Sequence, residues 1–192
     1  MNMSDSTTLN NVRVAVIATH GFEDSELTQP VEAVRAAGAE VTVLAPEAGT
    51  IEGKNGTEVT VDGLTTDADP ADFDALILPG GTGNADKIRM DEPAVAFVRA
   101  HVEAGKPLGV ICHGAWILTD ADVLAGRTLT SYPSIRTDLR NAGATWVDEE
   151  VRVDDGIVSS RTPDDLPAFN AAIVEKFAEE EGRRPRVLIA KM

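Results

Sequence analysis

The residues best suited to chemistry are few. Cys112 is the only cysteine in 192 residues. It ends the apolar run Leu108-Gly109-Val110-Ile111 and precedes His113-Gly114. A strand that turns sharply into a helix at such a point projects one side chain above the sheet, the shape of a nucleophile elbow without the G-x-S-x-G spelling. A lone cysteine at a strand end is ordinarily a small buried hydrophobe. At an elbow, the start of the following helix favours a thiolate and lowers its pKa. A thiolate is the useful nucleophile. Attack on a carbonyl creates an oxyanion that needs preorganised donors. The backbone N–H of His113 is one candidate. The turn Pro79-Gly80-Gly81 offers a second, because glycine allows close backbone approach; the same tripeptide also reads simply as a tight turn.

Two further side chains compete for roles. Glu23 reads either as a first-turn acid favoured by the helix dipole or as a carboxyl held beside Cys112. In the second reading it is protonated and moves protons. His113 reads as general base or as the partner of a neighbouring carboxylate. His20 and His101 have no companion at metal-ligand spacing, so no metal site is expected. Gly80-Gly81-Thr82-Gly83 matches neither a Walker A loop nor a dinucleotide fingerprint. No cofactor is called for.

These residues need a scaffold that brings them to one rim. Val12 to Thr19 is a short β-branched run, a buried strand. Asp24 to Ala37 has helical spacing through Leu27, Val31 and Val34, with Pro30 expected to kink it or break its first turn. Glu40 to Ala45 is the second strand. Thr50 to Gly63 reads as a hairpin excursion, with Asn55-Gly56 suited to a type I′ turn. Asp74 to Leu78 and Pro107 to Ile111 are further core strands, separated by a helix over Asp91 to Ala104. A helix opens at His113 to Leu118, and another covers Ile135 to Ala142. Strands near Glu150 to Val153 and Ile157 to Ser160 precede a last amphipathic helix, Asp164 to about Glu181. Such alternation predicts a mainly parallel sheet covered on both faces. Ligands then bind beyond the carboxyl ends of the strands. His20 to Glu23, Pro79 to Gly83 and Cys112 to Gly114 all fall there.

Composition narrows the function classes. Seventeen Lys+Arg against 32 Asp+Glu give a formal charge of −15. That surface repels nucleic acid and anionic membranes, so neither is an expected partner. Only five of the basic residues are Lys, and the acidic balance points to a halophilic source. No apolar run reaches the ~18 residues of a membrane span. The polar N-terminus lacks a signal-peptide core. One cysteine cannot close an internal disulfide, which fits a reducing cytoplasm. The expected layout is a disordered tail over residues 1–11, one domain over 12–182 and a C-terminal tail over 183–192.

Several segments, taken together and in order, resemble the PfpI intracellular protease family of the ThiJ/PfpI superfamily, which also contains the parkinsonism-associated deglycase. They are Gly21-Phe22-Glu23-Asp24-Ser25-Glu26, Phe73 to Gly81, Gly105-Lys106-Pro107, Ile111-Cys112-His113-Gly114, Thr130-Ser131-Tyr132-Pro133 and Val158-Ser159-Ser160-Arg161. The resemblance implies a flavodoxin-like three-layer sandwich with Cys112 as nucleophile, Glu23 as its carboxyl partner, and oxyanion donors at Gly81 and His113. It also implies a homo-oligomer, dimer to hexamer, in which a neighbour's acid completes a Cys-His-acid triad. Asp86 is the best match for that acid, although the segment is one residue longer here and has Asp where the family pattern leads us to expect Glu. Three activities follow. One is cofactor-independent glyoxalase or deglycase chemistry on methylglyoxal, or on glycated protein or peptide. The others are cysteine peptidase activity and a redox-sensing stress chaperone that holds an oxidised Cys112.

Overall fold

The computed structural model describes residues 7–183, with side chains through residue 180. Its main sheet has seven strands: β1 (Arg13–Ile17), β2 (Glu40–Ala45), β5 (Gly63–Leu64), β6 (Ala75–Leu78), β7 (Leu108–Ile111), β10 (Arg152–Asp154) and β11 (Ile157–Ser160). Their order is β10-β11-β7-β6-β1-β2-β5, and every pairing is parallel except β10 with β11. Two small ladders lie outside it. One is the hairpin of β3 (Thr50–Glu52) and β4 (Glu58–Thr60); the other joins β8 (Thr128–Leu129) to β9 (Thr145–Trp146).

The strand sequences explain the three layers. Parallel strands buried on both faces read as continuous apolar runs, and successive side chains alternate between faces. In β1, Ala15 and Ile17 face one core while Val14 and Val16 face the other; in β6, Leu76 and Leu78 oppose Ala75 and Ile77. The first core is roofed by α3 (Glu92–Glu103) and α4 (Ile117–Asp120), through Phe97, Val98, Ile117 and Leu118. The second is roofed by α1 (Asp24–Ala36) and α6 (Leu166–Arg183), through Leu27, Val34, Phe169, Ile173 and Phe177. Two short helices complete the chain, α2 (Thr82–Ile88) and α5 (Arg136–Asn141). The architecture is the expected flavodoxin-like sandwich.

Three details depart from the expectations. Leu9 is fully buried and its N–H donates to Ala37 O at 2.7 Å, so the packed chain begins before residue 12. Residues 1–6 and 184–192, expected as tails, lie outside the described residues. Helix α1 runs unbroken through Pro30, which lies beyond the first turn; the missing donor only leaves the Glu26 carbonyl without its i+4 partner. The hairpin loop is not type I′, because only Gly56 has positive φ (95°). Its turn closes by Gly56 N–H to Gly53 O at 3.0 Å, with glycine at the fourth position, as in a type I turn. Helix α2 and the two-residue strands β5, β8 and β9 have no counterpart among the expected elements.

Among the described residues no helix is long and apolar enough to cross a membrane.

Candidate active site

The chain runs from β1 to β2 in one direction and then crosses to β6 on the other side of β1. The loops after β1 and β6 therefore diverge, leaving a crevice at the carboxyl edge, where open α/β sheets bind ligands. The end of β7 supplies its floor. A cavity of about 500 Å³ opens there, lined by Glu23, Lys54, Gly81, Cys112, His113 and Tyr132, among others.

Cys112 has φ of 61°, a left-handed conformation that a side chain normally avoids. It turns the chain from β7 into a 3₁₀ turn, Cys112–Trp116, and leaves the sulfur at the cavity floor, only 8% exposed. Backbone N–H groups of Gly81 and His113, the two expected oxyanion donors, both point at the sulfur. Gly81 has φ of 92°, and a Cβ there would meet the Gly21 carbonyl and Glu23 N. Gly80 is fixed by crowding: a Cβ would collide with Glu26 Oε1 and lie 2.7 Å from Cys112 Cβ.

The carboxyl against the sulfur belongs to Glu26, not to Glu23. Glu26 is fully buried, and its neighbours are the Cys112 thiol and the Gly80 N–H, although neither carboxyl oxygen makes a well-aligned bond. Burial first, then the charge of Glu23, pushes its pKa up to about 8. It is therefore a neutral acid at pH 7, the state expected of the partner carboxyl. Glu23 sits one helical turn earlier, as the N-terminal flanking residue of α1, and points to the rim, where it pairs with Lys54. The physical reason is where the helix begins, since Glu23 has extended backbone (φ −70°, ψ 115°) and its side chain is not carried on the helical face. Glu26 lies on the buried face that carries Leu27, Pro30, Val31 and Val34; Glu23 precedes the helix.

The thiol also departs from expectation. Burial, reinforced by Glu26, pushes Cys112 up to about 12, against the lowering by the Gly81 and His113 N–H groups. A five-residue 3₁₀ turn provides little of the dipole expected of a full helix. The resting sulfur is thus a thiol and needs a base. His113 is in place, with Nδ1 3.3 Å from Cys112 Sγ. The ring stacks on Tyr132, centroids 4.6 Å apart, and its Nε2 lies 3.1 Å from Ser134 Oγ. Burial, then the Lys54 charge, lowers its pKa, so it is neutral and ready to accept a proton. Asp86 is exposed on α2, and among the described residues the polar partners of the ring are Cys112 and Ser134.

Asn84, Asp24 and His20 hold the site in place, and of these Asn84 has no role expected from the sequence. Asn84, 1% exposed, accepts from Thr19 N at 2.8 Å and donates to the carbonyls of Pro79 and Gly80, both at 3.1 Å. It ties the end of β1 to the turn that carries Gly81. Asp24 accepts from Asn55 N (3.0 Å) and Thr57 N (2.9 Å), and Lys54 N donates to Phe22 O at 2.9 Å. These bonds clamp the hairpin loop over the rim. His20 helps, its Nδ1 accepting from Glu52 N at 3.1 Å. The signal for Asn84 was weak, since a polar residue in a short glycine-flanked helix looks like surface. Among the described residues no cluster of His, Cys, Asp or Glu could hold a metal ion.

Fold and site together define a class: a flavodoxin-like α/β protein with a cysteine elbow and a buried acid. Residues 12–176 match the DJ-1/PfpI family, and the chain belongs to it. It is 49% identical over 170 residues to general stress protein 18 of Bacillus subtilis, covering 85% of this chain and 98% of that one. It is 50% identical over 161 residues to protein/nucleic acid deglycase 2 of Escherichia coli, covering 82% and 93%. Among solved structures it superposes with TM-score 0.83 and 37% identity on a two-domain Anabaena variabilis protein with DJ-1/ThiJ/PfpI-like and ferritin-like domains. That match covers 85% of this chain and 49% of the other.

Proposed function

We propose that this protein is a cofactor-independent, cysteine-dependent enzyme of the deglycase and glyoxalase type, acting on methylglyoxal or on its adducts with protein. The observation that carries the reading is the neutral Glu26 carboxyl buried against the Cys112 thiol. Relatives named deglycase, including those of Escherichia coli and Thermococcus kodakarensis, support it.

The chemistry balances with the groups present. Cys112 Sγ forms a bond to the aldehyde carbon while its proton passes to His113 Nδ1. Glu26 gives its proton to the former carbonyl oxygen, completing a hemithioacetal. The Glu26 carboxylate then takes the proton from that same carbon. The electron pair shifts onto the neighbouring carbonyl, whose oxygen takes the proton held by His113 to give an enediol. Glu26 then returns its proton to that adjacent carbon while the hydroxyl proton on the sulfur-bearing carbon passes back to His113, leaving a thioester of lactate. Water releases lactate and restores the thiol. The net change is one hydrogen moved between carbons plus hydrolysis, with no oxidant. The Gly81 and His113 N–H groups point at the sulfur and are the donors this reading assigns to the oxygen that gains charge.

A peptidase reading draws on the Cys112–His113 contact of 3.3 Å. It additionally needs Asp86 from a neighbouring subunit. The deciding experiment offers methylglyoxal and a peptide reporter to the wild type, Cys112→Ala, Glu26→Gln and Glu23→Gln. Lactate should form with the wild type, fall at least ~100-fold in the first two variants and persist in Glu23→Gln. Lactate formation retained in Cys112→Ala, or peptide hydrolysis without lactate, would overturn the reading.

A further inference from the structure

We propose that Ser134 is the positioning residue for His113, making Cys112, His113 and Ser134 one relay within a single protomer, in the place where the family resemblance implies a neighbour's acid. This rests on the reading of Cys112 as nucleophile and His113 as its base.

The geometry is the argument. An imidazole that accepts the thiol proton at Nδ1 must carry its other proton on Nε2, and that N–H needs an acceptor to fix the tautomer. Ser134 Oγ lies 3.1 Å from Nε2. The segment that presents it is held on both sides. Tyr132 N–H donates to Cys112 O at 3.2 Å, so the serine turn is tied to the elbow itself. Trp146 Nε1 donates to Ser131 Oγ at 3.0 Å, and Ile135, in the same 3₁₀ turn as Ser134, is 2% exposed. The ring cannot swing freely, because Tyr132 stacks on it at 24° and Trp116 approaches at 59°.

A hydroxyl also differs from a carboxylate in what it does to the base. A carboxylate would stabilise the imidazolium and with it a standing thiolate–imidazolium pair. A neutral serine orients the ring and leaves it uncharged until substrate arrives. That suits a site whose resting sulfur is a thiol and whose second proton carrier is the Glu26 carboxyl.

The test reads Cys112 directly, through its alkylation by iodoacetamide, which does not depend on the true substrate. Ser134→Ala should slow alkylation about tenfold. Ser134→Thr, which keeps the hydroxyl, should restore it, and Asp86→Asn should match the wild type. In a His113→Gln background the Ser134→Ala effect should vanish. Wild-type alkylation by Ser134→Ala, or the loss appearing in Asp86→Asn instead, would overturn the proposal. If Ser134→Ala slows alkylation yet no variant or wild type converts methylglyoxal, the relay stands and the proposed substrate fails.

Discussion

Replacing Glu26 by glutamine should make the protein more stable and less active, and the stability gain should grow with pH. In the folded protein the carboxyl is fully buried and its pKa is raised from 4.5 to about 8, by burial first and by Glu23 second. A raised acid pKa means that the folded state holds its proton more tightly than the unfolded chain. The group costs nothing below about pH 4.5, where both states are protonated. Above that, unfolding releases the proton, and each pH unit costs about 1.4 kcal/mol of stability until the folded carboxyl itself ionises near pH 8. The penalty is about 3 kcal/mol at pH 7 and about 5 kcal/mol above pH 8. Glutamine keeps the shape and never ionises. Urea denaturation under reducing conditions at pH 4.5, 7 and 9 would measure it, taking the difference between variant and wild type at each pH so that other titrating groups cancel. The difference should rise across the series by several kcal/mol. A difference independent of pH would refute the burial argument and, with it, the assignment of a neutral acid at the site.

Gly80→Ala should cost about 2 kcal/mol, the scale of overpacking, because its Cβ meets both Glu26 and Cys112; turnover should fall far more than thermal stability, measured side by side. Asp24→Ala removes the acceptor of Asn55 N and Thr57 N. It should cost about 1–2 kcal/mol and raise amide exchange at those two positions while leaving the β1 amides protected.

How far the sequence discloses the site depends on what each element demands. Strands β1, β6 and β7 are legible because burial on both faces requires unbroken apolar runs, and few other arrangements of VRVAVI, ALIL and LGVI are available. The elbow is legible because a cysteine and a glycine flank a histidine where such a run stops. Helix α2 is not, since Thr82-Gly83-Asn84-Ala85-Asp86 lacks an apolar period and is held by the side-chain bonds of Asn84. Ser134 is not either; nothing in Tyr132-Pro133-Ser134 says that a turn will place the hydroxyl on a histidine twenty-one residues earlier. The exchange of Glu23 for Glu26 is the instructive case. Leu27, Val31 and Val34 already marked the buried stripe of α1, and Glu26 lies beside Leu27 and four residues before Pro30 on that stripe. A carboxyl on an apolar stripe is the exception that marks function, while one at the helix start is commonplace.

The site gathers two independent costs at one point. Cys112 occupies a left-handed conformation worth roughly 1–2 kcal/mol against an ordinary one. Glu26 is held without a well-aligned partner for either oxygen. Neither is explained by packing, since a glycine would take the conformation of Cys112 without that cost and a leucine in place of Glu26 would fill the apolar stripe without burying a carboxyl. Both are explained if the sulfur must face the cavity and an acid must lie within its reach. The surrounding bonds are arranged to keep these two groups together. Asn84 fixes the glycine turn, the Cys112 carbonyl is tied to Tyr132, and Gly80 leaves room for the carboxyl. Among the described residues, the polar groups on the His113 ring are Cys112 and Ser134. On the proposed reading, the proton held by the buried Glu26 carboxyl is what suits this site to carbonyl chemistry.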